Sequence, residues 1–104
     1  MELKVFDRLM LLNIIPVEGN FVTLKIVLQL RQALSFNEEE VKRLEIRQNE
    51  GNVTWNRIAD EPKEVEIGEK ATDIIVEALK ELDKQKKLTE QHYELYEKFV
   101  VNGG

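Results

Sequence analysis

Between Gly68 and Leu82 the chain reads GEKATDIIVEALKEL, and its apolar residues fall at Ala71, Ile74, Ile75, Ala78, Leu79 and Leu82. Those spacings form one stripe of an amphipathic helix, with Glu69, Lys70, Asp73, Glu77, Lys80 and Glu81 off the stripe. Burying six such side chains supplies on the order of 10 kcal/mol of gross stabilisation before chain entropy is set against it. A second helical pattern covers residues 2–12, where Val5, Phe6, Leu9, Met10 and Leu12 share a broad stripe. Asn13 can end that helix, and Pro16 disfavours helical geometry at Ile15.

Asn20 is suited to cap the next helix, Phe21–Ser35, which is apolar on more than one side. Phe21, Leu24, Val27 and Leu28 make one stripe, and Val22, Ile26, Leu30 and Ala33 another. A helix apolar nearly all round is central to a bundle or covered by a partner. The β-branched residues Val22, Thr23, Ile26 and Val27 leave a strand as the alternative for its first half. The strong helix formers of Leu28–Leu34 favour the helix.

Asn37 with Glu40 three residues on resembles a capping box, and Phe36 and Val41 fit a hydrophobic staple. Glu38, Glu39 and Glu40 would occupy a first turn, where the helix dipole favours negative charge, so a short helix is expected over 38–44. The period then changes to two. Leu44 and Ile46, then Val53 and Trp55, then Val65 and Ile67 alternate with polar residues, and Asn49–Asn52 forms a turn with Gly51 able to take positive φ. These segments predict one three-stranded antiparallel sheet with its apolar face against the Gly68–Leu82 helix, near Trp55 and Ile67. Thr89 should cap a last helix, with Leu88 and Tyr93 as staple and Tyr96, Phe99 and Val100 as core contacts. The expectation is a single α+β domain over 1–104 with 101–104 as a frayed tail: two N-terminal helices, a short third, the sheet and a C-terminal helical hairpin.

Composition narrows the functional classes. The 104 residues include no cysteine, which removes disulfides and thiolate chemistry. No apolar run approaches the roughly 18 residues of a membrane span, and no secretory signal is visible, so a cytoplasmic site of action without a membrane partner is expected. The net charge is −5, divided as +1 over residues 1–36, −4 over 37–67 and −2 over 68–104. No third offers the clustered cations that non-specific nucleic-acid binding needs. A winged-helix reading would place three glutamates in the first turn of a recognition helix, where phosphate would repel them.

Little in the chain carries reactive chemistry. His92 is the only histidine and has no second ligand nearby in sequence. The paired acids sit where helix caps and solvated faces would put them, and Lys84, Lys86 and Lys87 complement a helix C-terminus. Glycine-rich phosphate loops, G-x-S-x-G and H-E-x-x-H are all missing. The reading is a non-enzymatic module with no cofactor and no metal, binding a protein partner or itself. Val22, Ile26, Leu30, Arg31, Glu38, Glu39 and Trp55 are its candidate contact residues. Two alternatives are an inhibitor that presents the acidic 37–67 region to a host defence or nucleic-acid system, and a nucleic-acid accessory protein using the lysine cluster.

The segments VFDRLMLLNIIPVEGNFVTLKIV (Val5–Val27), GEKATDIIVEALKEL (Gly68–Leu82) and KKLTEQHYELYEKFV (Lys86–Val100) resemble small uncharacterised proteins encoded in bacteriophage and prophage genomes. The likeness is of whole segments and carries no catalytic motif. It implies a viral accessory protein working in a bacterial cytoplasm.

Overall fold

The computed structural model describes residues 1–103, and Gly104, part of the expected tail, lies outside the described residues. The elements run β1 (Glu2–Leu3), α1 (Val5–Ile14), α2 (Phe21–Leu34), α3 (Glu38–Arg43), β2 (Arg47–Asn49), β3 (Asn52–Thr54), β4 (Lys63–Glu64) and α4 (Glu69–Lys84). A 3-10 turn (Glu90–His92), the single α-turn α5 (Tyr93–Tyr96) and a π-turn (Glu97–Val101) follow as the closing helical segment. The architecture is mixed helix and sheet, and helices build nearly all of the core.

Helix boundaries follow local chemistry. The Asn20 carboxamide accepts from the Thr23 N–H at 2.9 Å and opens α2. Asn37 accepts from the Glu40 N–H at 2.8 Å and opens α3, satisfying donors that the helix leaves without partners. Pro16 has the expected effect on Ile15, which is extended at ψ 140°. After α3 and α4 come the caps Leu44 and Gln85, and in each case the next residue is in the left-handed region, Glu45 at φ 52° and Lys86 at φ 59°. Ile46 N–H then reaches Val41 O at 3.0 Å and Lys87 N–H reaches Leu82 O at 2.8 Å. This is the Schellman closure, made here without glycine.

The amphipathic stripe of α4 faces inward as its spacing predicts. Ala71, Ile75 and Leu79 are buried, and α4 packs against α1, α2 and the terminal π-turn. Leu11, Val27, Leu30, Leu34, Leu95 and Phe99 complete the centre. Tyr96 and Val100 pack at the edge of the core, as expected. Val101, the first residue of the expected tail, closes the π-turn.

The single three-stranded sheet is not formed. Strands β2 and β3 pair as a hairpin, with Arg47 opposite Thr54, around a two-residue turn in which Glu50 (φ 49°) and Gly51 (φ 83°) both take positive φ. The expected third strand pairs elsewhere: β4 joins β1, with Leu3 opposite Lys63. Residues 2–3 are therefore strand and α1 begins only at Val5. Two contacts explain the change. Asn56 N–H closes on Leu44 O at 2.6 Å and finishes the hairpin. Asp60 then draws the following loop to the start of α1 by accepting from the Val5 N–H at 3.1 Å. The hairpin strands stay solvent-facing, with only Val53 half-buried, so α4 has no hairpin face to pack on. Trp55 is half-buried and lies outside the core, correcting the expectation that it anchors α4.

Candidate docking surface

Helix α2 leaves several large apolar side chains on its surface. Val27, Leu30 and Leu34 point into the core. The two stripes read from sequence thus share the inward face, one contributing Val27 and the other Leu30. On the outward side Phe21 is 82%, Leu28 63% and Val22 59% exposed. Lys25, Gln29 and Gln32 are exposed beside them, and positions 21, 22, 25, 28, 29 and 32 fall on one helical face. Helix α2 holds no carboxylate at all. The outer face of α4, by contrast, is made of charged side chains, as solvated helix faces normally are.

The candidate contact residues divide among several places. Val22 lies on the outward face and Ile26 at its half-buried edge. Leu30 is only 3% exposed and belongs to the core, so it is removed from the contact set; Phe21 and Leu28 take its place. Arg31 is half-buried in the last turn of α2, while Glu38 and Glu39 are exposed in the first turn of α3. Trp55 belongs to the hairpin, where its indole N–H donates to Asp60 Oδ2 at 3.2 Å and Arg57 lies 4.8 Å from its ring centroid. Its polar tip is already satisfied within the chain.

The acidic 37–67 stretch does not present all its charge to solvent. Asp60 bonds Val5 and Trp55, and Glu40 is 6% exposed. Glu40 meets Arg8, itself 2% exposed, with Nη1 to Oε2 at 2.6 Å. Arg8 also donates from Nε to Leu34 O at 3.0 Å and from Nη2 to Ser35 O at 2.5 Å, and its guanidinium lies 3.9 Å from the Phe36 ring centroid. One cation thus closes the carbonyl end of α2 and binds the first turn of α3. Lys63 adds a third charge at 3.2 Å from Glu40 Oε1. Sequence reading placed Glu40 as a cap and missed its partner. The missed signal is positional, since Val5, Arg8, Leu11 and Ile15 recur at helical spacing and are all buried.

The hydrogen bond from Arg8 lowers the Glu40 pKa from 4.5 to about 2, with Lys63 adding to it against the opposing effect of burial. The unfolded chain therefore binds the proton first as pH falls. The stabilisation is complete above about pH 4.5 and is lost as pH drops through about 2. Denaturant titrations between pH 5 and pH 2 should show about 3 kcal/mol of pH-dependent stability from this carboxylate, absent in Glu40→Gln. Equal pH slopes in the two proteins would refute the assignment.

His92 sits in the 3-10 turn, where Nδ1 accepts from the Thr89 N–H at 3.0 Å, so one ring nitrogen serves the helix start. Among the described residues, no three His, Asp or Glu side chains converge into a metal-holding group. Among the described residues, no helix is long and apolar enough to cross a membrane. No family model, curated protein or solved structure matches the chain.

Proposed function

We propose that this chain is a non-enzymatic protein-binding module that works through the outward face of α2. The observation that carries the reading is the exposure of Phe21, Val22 and Leu28 on one helix face free of carboxylates. Large apolar side chains grouped this way are a recognised mark of an interaction surface. The segment resemblance to small phage and prophage proteins supports an accessory role in a bacterial cytoplasm, with the partner either a host or phage protein or a second copy.

The double variant Phe21→Ser/Leu28→Ser tests the reading. Both side chains are exposed, so the thermal melt should move little. In affinity capture from bacterial lysate, proteins retained by the wild type should be lost from the variant. Identical recovered sets would overturn the assignment of α2. Light scattering on the two purified proteins identifies the case in which the partner is another copy.

A further inference from the structure

Two concavities open along the seam between α2 and α4. One, of about 480 Å³, lies between the later half of α2 at Ile26 and Ala33 and the start of α4 at Gly68 and Ala71. The other, of about 330 Å³, lies between Thr23 near the start of α2 and Ile74 and Ala78 further along α4. The helices therefore run antiparallel, and the seam follows α4 from Glu69 to Glu81, roughly 18 Å at 1.5 Å per residue. Small side chains keep it open: Ala33, Ala71 and Ala78 place methyl groups where larger residues would fill the trough. Ile26, Ile74 and Ala78 stay half-buried along it.

The two walls differ in charge. On the α4 side Glu66, Glu69, Glu77 and Glu81 border the concavities, against one cation, Lys70. All four carboxylates are exposed, and none is in an ion pair with a Lys or Arg among the described residues. The α2 side contributes neutral Thr23 and Gln29, with exposed Val22 one turn before Ile26.

We infer that this seam is a docking groove for a cationic amphipathic helix. An apolar stripe of the occupant lies on Ile26, Ile74 and Ala78, and its lysines or arginines face the α4 carboxylates, as in other helix-in-groove complexes. Charge complementarity selects this occupant over a second copy, because a second copy brings a net charge of −5 toward an acidic wall. The inference rests on the protein-binding reading and names the chemistry of the partner.

The probe is a labelled 16-residue helical peptide with leucines at i, i+3, i+4 and i+7 spacing and lysines elsewhere, followed by fluorescence anisotropy. Two controls carry glutamate in place of lysine, or the same residues in a scrambled order that destroys the stripe. The lysine peptide should bind at least tenfold more tightly than either control. Glu77→Lys/Glu81→Lys, at two exposed positions, should weaken it at least tenfold with an unchanged circular-dichroism melt. Equal binding of the scrambled peptide, or equal binding by the variant, overturns the groove. So does a wild-type dimer that this variant dissociates, which would make the occupant a second copy. If the lysine peptide fails while Phe21→Ser/Leu28→Ser still strips captured proteins, the groove falls and the protein-binding reading stands. If that double variant retains every captured protein, the reading of α2 falls as well.

Discussion

Ile75→Asp is expected to leave the chain unfolded at room temperature. Ile75 is 0% exposed and sits midway along the buried stripe of α4, within the cluster shared by α1, α2 and the closing helical segment. Removing the side chain forfeits its transfer energy and opens a cavity, a cost of about 2–5 kcal/mol for truncations of this kind. The carboxylate adds a buried charge without a partner, worth several kcal/mol more unless it takes up a proton. Against the roughly 5–15 kcal/mol of an ordinary domain, the sum consumes most or all of the stability. Circular dichroism should show the helical signal and the cooperative melt lost together, while Ile75→Val should cost only about 0.5–1.5 kcal/mol. A melt unchanged by Asp would remove α4 from the centre of the fold.

That prediction was readable from sequence, and the contrast with what was not is physical. The α4 stripe, the Asn20 and Asn37 caps and the Gly51 turn are local: each depends on residues within a few positions of one another. Strand β1 has two residues, too few to show a period, and its partner β4 is about sixty residues away. Nothing near Lys63 marks it as paired with the N-terminus rather than with the hairpin. The apolar alternation of Val53 and Trp55 suggested a sheet face, yet the tryptophan is held by Asp60, which also caps α1.

The candidate surface was legible in the same partial way. An excess of apolar positions on α2 is visible in the chain. Which of them are surplus depends on where α1 and α4 pack, so Leu30 goes inside while Phe21 and Leu28 stay out. The groove along α2 and α4 is a product of two helices whose sequences are more than thirty residues apart. Its acidic wall looks like an ordinary solvated face until the neighbouring helix is in place.

The second large effect belongs to the Arg8–Glu40 pair. Glu40→Leu should cost about 3–5 kcal/mol, because it leaves the guanidinium buried without its carboxylate. Arg8 would keep Leu34 O and Ser35 O as acceptors, which satisfies donors but does not neutralise the charge. Arg8→Met alone should be milder. Glu40 would retain Lys63 at 3.2 Å and the Asn37 N–H at 3.4 Å, and Lys63 is exposed enough to follow it toward water. The combination Arg8→Met/Glu40→Leu is the informative protein. Apolar replacement of a complete buried pair is often neutral, so the double variant should recover most of what Glu40→Leu loses. Urea titrations of the four proteins form a double-mutant cycle, with a coupling of about 2–3 kcal/mol expected for groups in direct contact. Additive losses would mean that Arg8 and Glu40 stabilise the fold independently. Recovery in the double variant would instead assign the pair to orientation, fixing how the end of α2 meets the start of α3.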